Sequence, residues 1–200
     1  MPYKTIKRGL DVLGAALGLA LIAPLVPLIA LAIKLESRGP VFVRLPRVSG
    51  GKIIYVYKFR SMVAGAHEKK WGLAHLNERG DGPFFKIKND PRLTRVGKVL
   101  RKFRLDEFPQ LMNVALGDLS LVGPRPHEPE EVVLYPDPYK PLILAKAGVT
   151  GLSQVNGASG LPFMKELELD FAYAKTPSLV TDAKILLKTA RILFTDPNAV

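Results

Sequence analysis

VLGAALGLALIAPLVPLIALAI, residues 12–33, runs for twenty-two positions without a charged side chain, and how it is read decides the architecture. As a straight helix it is long enough to cross a hydrocarbon core of about 30 Å. Two features oppose a simple crossing. Pro24 and Pro27 fall near its middle, and each removes a backbone donor and obstructs the preceding turn. The flanks are also alike, with Lys4, Lys7 and Arg8 before the segment and Lys34, Arg38, Arg44 and Arg47 after it. Lys and Arg beside a membrane segment favour the cytoplasmic side, so both ends belong on one side. A re-entrant helix–break–helix, broken at Pro24 and Pro27, satisfies both facts. A true crossing and a buried soluble helix are the alternatives. A signal peptide fits poorly: the basic start and Ala30-Leu31-Ala32 match its pattern, but the apolar run is too long and carries two prolines.

Working outward, 200 residues suit one domain with a small appendage. Lys+Arg 29 against Asp+Glu 18 leaves +11, which points to an anionic partner: nucleic acid, a phosphorylated substrate or acidic lipid. Hydrophobic residues make up 48% of the chain, too many for a disordered basic tail. With no cysteine, disulfides, thiolate metal sites and a cysteine nucleophile are excluded. Gly 17 and Pro 17 exceed the usual share of roughly 12% and predict short elements joined by fixed turns.

Alternation over residues 41–45 and 53–59 predicts a hairpin around Ser49-Gly50-Gly51. Residues 63–90 lack a steady period and read as a long surface loop with some helix. A helical pattern opens at Pro91-Arg92, with Leu93, Val96, Leu100 and Phe103 on one face, and residues 105–116 read as a second short helix closed by Gly117-Asp118. Over residues 179–194, Lys184, Lys188 and Arg191 share a stripe while Val180, Ala183, Leu187, Ala190 and Phe194 take other faces. That helix suits an anionic membrane surface, or a core with one solvated face. The fold class expected is α+β, mostly helical, with a small β-hairpin and amphipathic interfacial helices.

Residues 86–104 hold Lys86, Lys88, Arg92, Arg95, Lys98, Arg101, Lys102 and Arg104 against Asp90 alone, and Leu105-Asp106-Glu107-Phe108-Pro109 follows. Proline is tolerated in the first helical turn, so Pro109 places Asp106 and Glu107 at a helix start, beside free backbone N–H groups. Acids there are commonly plain caps. The same site also suits phosphate, and a carboxylate kept ionised by Arg101 and Arg104 is able to attack phosphorus. Its neighbour is able to help hold magnesium, which takes one or two carboxylates plus phosphate oxygens. Arg125, between Pro124 and Pro126, is either a rigid phosphate grip or a structural ion pair. Lys58 and Arg60 alternate with aromatics and share a strand face, binding phosphate or keeping an edge soluble. His67, His75 and His127 lack metal-ligand spacing and read as surface or loop residues.

These residues, in this order, resemble the monotopic phosphoglycosyl transferases of bacteria, the bacterial sugar transferase family, over residues 7–189. The likeness rests on Lys7-Arg8 with Asp11, the Pro24 break, Ser37-Arg38-Gly39-Pro40, Tyr57-Lys58-Phe59-Arg60 and Asp90-Pro91-Arg92-Leu93. It continues through Leu105-Asp106-Glu107-Phe108-Pro109-Gln110, Gly123-Pro124-Arg125-Pro126, Gly148-Val149-Thr150-Gly151 and Asp182-Ala183-Lys184-Ile185. Leu45, Ser153 and Ala158 depart from the usual glutamine, tryptophan and arginine and bear on substrate contacts.

The resemblance implies a membrane segment with flanks at residues 1–36 and a catalytic domain at residues 37–200, in a minimal catalytic form. It implies transfer of a phosphosugar from a UDP-sugar to polyprenol phosphate, usually undecaprenyl phosphate, with release of UMP. Asp106 is then the nucleophile and forms a covalent phosphosugar intermediate. Glu107 assists with Mg2+ or proton transfer, both acids serving as metal ligands, and Arg125 grips phosphate. Lys58, Arg60 and Arg101 fall on motif positions as phosphate or nucleotide contacts. The expected setting is the cytoplasmic face of the bacterial inner membrane, with both termini cytoplasmic and anionic lipid, not nucleic acid, as neighbour. The sugar and the oligomeric state stay open. The rival reading is a non-catalytic, membrane-tethered basic module that binds acidic lipid or nucleic acid.

Overall fold

The computed structural model describes residues 3–195. The apolar run forms α1 (Tyr3–Ile22), a 3-10 turn (Ala23–Leu25) and α2 (Val26–Glu36). Pro24 lies inside that turn and Pro27 in the first turn of α2, where no helical partner is lost. The buried positions Asp11, Ala15, Ile22, Ile29 and Ile33 keep close to one helical phase across the break. Both helices therefore turn the same side to the rest of the protein. Leu13, Leu17, Leu21, Leu28, Leu31 and Leu35 stay exposed opposite it. Among the described residues this is the one helical stretch long and apolar enough to cross a membrane, by length and composition.

β1 (Phe42–Ser49) and β2 (Lys52–Phe59) pair antiparallel from Phe42↔Phe59 to Ser49↔Lys52. Gly50 and Gly51, at φ 59° and 74°, supply the two-residue turn whose twist matches the strands. Residues 63–90 are largely irregular, with a 3-10 turn at Trp71–Leu76.

α3 (Arg95–Lys102) starts later than the pattern at Pro91 predicts. The reason is its cap. Thr94 Oγ1 accepts the Gly97 N–H at 2.9 Å, and the Glu36 carboxylate accepts the Arg95 and Val96 N–H groups at 2.6 and 2.8 Å. Leu93, left outside, bridges to Met62, and Phe103 is exposed. The single helix expected over residues 105–116 is split into a 3-10 turn (Leu105–Glu107) and α4 (Gln110–Leu116), because Pro109 has no N–H to carry the ladder. The acids therefore lie in the 3-10 turn ahead of the helix, not in its first turn.

β3 (Ser120–Val122) and β4 (Gly148–Thr150) pair in parallel, with α5 (Pro129–Val132) between them in sequence. α6 (Phe163–Lys175) and α7 (Leu179–Thr195) close the fold. On α7, Lys184, Lys188 and Arg191 are exposed beside exposed Val180 and Leu187, while Ile185 packs against Val122, Val155 and Tyr173. The Phe194 side chain lies outside the described residues.

Two apolar clusters hold the hairpin from opposite sides. Val56 joins Ala15 of α1 and Leu111 and Val114 of α4; Phe59 joins Ile29 and Ile33 of α2 and Leu100 of α3. Each Val, Leu, Ile or Phe among them contributes about 1.5–3 kcal/mol by leaving water. Polar links lock α1 to the same body. Arg8 donates to the Val114 and Ala115 carbonyls at 2.6 and 2.7 Å, closing the C-terminus of α4. Asp11 accepts from Ser120 Oγ and the Leu121 N–H, and Lys7 pairs with Asp182 at 2.8 Å.

Candidate active site

Lys58 leaves β2 on the face opposite Phe59 and meets Glu107, Nζ to Oε1 at 2.5 Å. Asn113 of α4 sets that meeting. Fully buried, it accepts the Tyr57 N–H at 3.0 Å and donates to the Tyr55 carbonyl at 2.8 Å, so α4 is pinned to the strand that carries Lys58. The 3-10 turn precedes α4 directly and inherits its position.

On the other side, α3 approaches through Gly97. A Cβ built there would overlap the Ser61 carbonyl, which also accepts the Thr94 N–H. Only the missing side chain lets the helix sit this close. Arg101 is held by its Nε–H bond to Ser61 Oγ, at 3.1 Å. Arg104, between α3 and the 3-10 turn, takes φ 53°. A left-handed non-glycine residue costs roughly 1–2 kcal/mol, and here it reverses the chain so that the acids face the cations.

Asp106 is 5% exposed. Burial is the largest influence on its carboxyl and raises it above the ordinary range; the charges of Lys58 and Arg101 oppose the rise, and Glu107 adds to it. Glu107 ends on the other side. Burial pushes it up, but Lys58, Arg125, the Lys58 hydrogen bond and Arg104 outweigh that and hold it at about 2. Neighbouring carboxylates are thus driven apart, one less readily ionised and one charged at any neutral pH, the division expected of paired acids with different tasks.

Arg125 stands beyond Glu107. Its N–H donates to Asp170 Oδ2 at 2.8 Å, and the Pro124 carbonyl accepts the Gly148 N–H at 2.8 Å. Its Nε is 3.7 Å from Glu166 Oε1, and about a third of the side chain is open to solvent. Lys58, Arg101, Arg104 and Arg125 therefore all bear on the acidic pair.

Arg60 does not join them. Only 4% exposed, it donates to the Arg38 and Ser37 carbonyls at 2.6 and 2.7 Å and reaches the Ile33 carbonyl, closing the C-terminus of α2. In place of the phosphate contact expected on the shared strand face, it fastens the apolar helix to the hairpin. Pro24 lies in the 3-10 turn between α1 and α2, and Pro27 in the first turn of α2.

His127 is likewise placed differently from the surface position read in the sequence. It is buried, stacked on Phe84, bonded through Nε2 to Glu166 at 3.2 Å and through Nδ1 to the Tyr135 hydroxyl. Glu166 and Asp170, both buried behind Arg125, carry no motif that marks them. A signal existed nonetheless: Phe163, Glu166, Leu167, Asp170 and Tyr173 trace one apolar-phase stripe, and acids standing in such a stripe are buried acids.

Among the described residues no group of three or more acidic or histidine side chains is arranged to hold a metal ion. Two adjacent carboxylates match the number magnesium takes when phosphate oxygens and water supply the rest. The donor set fits an ion that arrives with a phosphorylated substrate.

The family model described as bacterial sugar transferase matches residues 2–196. A UDP-glucose:undecaprenyl-phosphate glucose-1-phosphate transferase of Caulobacter vibrioides is 42% identical over 203 residues, covering 96% of this chain and 71% of that protein. An undecaprenyl-phosphate galactose phosphotransferase of Salmonella typhimurium is 38% identical over 192 residues, 94% of this chain and 40% of that protein. The exopolysaccharide production protein ExoY of Rhizobium meliloti is 36% identical over 187 residues, 92% of this chain and 83% of that protein. The chain thus spans most of some relatives and less than half of others.

Proposed function

Because the chain belongs to the bacterial sugar transferase family, we propose that it moves a sugar phosphate from a UDP-sugar to undecaprenyl phosphate, using Asp106 as nucleophile. A carboxylate oxygen of Asp106 attacks the sugar-bearing phosphorus, forming an O–P bond. The bridging P–O bond breaks, and UMP departs with the electron pair. An oxygen of the lipid phosphate then attacks the same phosphorus, which restores the Asp106 carboxylate and leaves a polyprenyl diphosphosugar. Displacement at phosphorus spreads negative charge over its oxygens, and Lys58, Arg101 and Arg125 are placed to compensate it. Held at about 2, Glu107 is a poor proton donor near neutral pH and suits holding a cation. With Asp106 it would hold Mg2+, which when bound offsets charge on the diphosphate.

The observation that carries this reading is a nearly inaccessible aspartate flanked by two cations and a permanently charged glutamate. A basic module that merely binds lipid or nucleic acid has no use for a buried aspartate beside a half-buried glutamate inside its positive surface. Burial also removes competing water from the carboxylate, which strengthens it as a nucleophile once charged.

The membrane reading goes with the chemistry. We assign the chain to the cytoplasmic face of the bacterial inner membrane, with α1 and α2 as a re-entrant pair. Support comes from both ends of that pair: the start of α1 is fastened through Lys7 and Arg8, the end of α2 through Arg60, all to one body. Residues 1 and 200, whose side of the membrane this reading sets, lie outside the described residues. Such a placement lets a soluble nucleotide sugar and a lipid phosphate meet at one site.

Asp106→Asn tests the proposal. UMP release from UDP-glucose, UDP-galactose and UDP-N-acetylgalactosamine should fall by at least about a thousandfold, while membrane attachment and thermal unfolding stay close to the parent. Wild-type enzyme quenched without lipid phosphate should carry a phosphosugar mass on the peptide containing Asp106. Full turnover by the asparagine variant removes Asp106 as nucleophile.

A further inference from the structure

Behind Arg125 lies a buried polar network that the transfer chemistry does not use. Glu166 of α6 is 1% exposed, and its carboxylate is shared by three partners. His127 Nε2 lies 3.2 Å away, Arg79 Nη1 3.4 Å and Arg125 Nε 3.7 Å. One turn further along α6, Asp170 is equally buried and accepts the N–H groups of Arg125 and Ser153 at 2.8 and 3.3 Å. The far side is closed as well. Tyr135 bonds His127 Nδ1, and Arg79 is anchored to the Leu161 carbonyl at 2.8 Å and lies over the Phe84 ring.

Sequestering a carboxylate this fully is unfavourable unless something is gained from it. Desolvating a charge costs several kcal/mol, and replacing a buried ionic cluster by apolar side chains is often neutral or stabilising. A cluster built only for stability would not need to leave one of its members open. Arg125 is that member: its side chain remains about one-third accessible while its backbone is fixed by Asp170 and by prolines on either side. A fixed backbone alone leaves four side-chain torsions free. The Glu166 carboxylate, 3.7 Å from Nε, draws the root of the guanidinium by charge and leaves its two terminal amino groups to an anion.

We propose that Glu166 is a positioning residue for the transfer reaction, aiming the Arg125 guanidinium at the substrate diphosphate beside Glu107. This rests on the transferase reading above. The network gives Glu166 the means to do so. The Tyr135 hydroxyl stays protonated, because burial first and the charges of Asp170 and Glu166 next raise it far above its ordinary range. A phenol donating to Nδ1 leaves Nε2–H of His127 to donate to Glu166, so the carboxylate is clamped from behind and presents its remaining capacity to Arg79 and Arg125.

The test is a double-mutant cycle on the full-length, detergent-solubilised enzyme, reading kcat and KM for UMP release from whichever of the three UDP-sugars above is turned over. Glu166→Gln is expected to lower kcat/KM by at least about tenfold and Arg125→Ala by about a hundredfold. The double variant is expected within about twofold of Arg125→Ala alone, because an acceptor with no arginine to aim has nothing left to lose. Glu166→Asp, which keeps the charge on a shorter stem, should fall between wild type and Glu166→Gln, and it replaces the glutamine variant in the cycle if that chain fails to fold. Losses that multiply in the double variant, or a Glu166→Gln enzyme that loses only thermal stability with kcat/KM intact, overturn the assignment. Failure of the underlying transferase reading looks different: the wild-type chain then releases UMP from none of the three donors, and the assignment falls with it.

Discussion

Replacing Lys58 by methionine removes the cation that most strongly draws down both acids of the pair. Methionine nearly matches the length of the lysine stem, so what is lost is chiefly the charge and the 2.5 Å contact to Glu107. Glu107 rests at about 2 where 4.5 is ordinary, which corresponds to about 3 kcal/mol of preference for its charged form. Arg125 and Arg104 supply part of that, and Lys58 is the foremost of the three cations, so its removal should forfeit about 1–2 kcal/mol. The sign follows from linkage. A depressed carboxylate stabilises the fold above its unfolded value and loses that contribution as pH falls from about 4.5 towards 2. The variant should therefore melt lower at neutral pH, by about 3–6 °C for a chain of this size, with the deficit closing in strong acid. Asp106, already raised, rises further without Lys58, and it must be ionised to attack. The acid limb of UMP release should accordingly move to higher pH by about one unit. Initial rates from pH 4.5 to 9, beside melting curves from pH 2 to 9, give both numbers. An acid limb that stays in place while only the maximal rate drops would refute the argument that Lys58 governs ionisation of the pair.

Two further variants separate packing from chemistry. Gly97→Ala forces α3 off the Ser61 carbonyl and draws Arg101 away from Asp106; overpacking of this kind should lower stability by about 1–3 kcal/mol and UMP release by about tenfold, measured by thermal melts and initial rates. Arg60→Met leaves the last carbonyls of α2 without their donor, and should lower stability by about 1–3 kcal/mol while the folded fraction keeps its KM for UDP-sugar within about threefold. A large rise in KM would return Arg60 to the substrate site.

Much of this fold is visible in local pattern. The hairpin is legible because Gly50 and Gly51 supply the one turn that two alternating strands need. The acidic pair is legible because two carboxylates follow eight cations, a contrast that needs no third dimension. The 3-10 turn at Ala23–Leu25 is legible because two prolines interrupt an otherwise apolar run. Where local reading went astray, the competing partner came from far along the chain. The start of α3 moved because Glu36, in the preceding apolar helix, caps it. His127 went inside because Glu166 and Tyr135 satisfy its nitrogens. Arg8, read as a basic flank, also closes α4, which no local pattern shows.

Composition, periodicity and order of motifs by themselves determined the class of fold, the apolar N-terminal segment and the acidic pair that supplies the candidate carboxylate, since each is written in neighbouring residues. Only the tertiary structure decided which cations face that carboxylate. Lys58 and Arg60 lie two positions apart and are chemically alike, yet one meets Glu107 and the other a helix end. Chain proximity fixes which side chains are available, whereas their charges act through distance and dielectric, and both are set only when remote segments pack together.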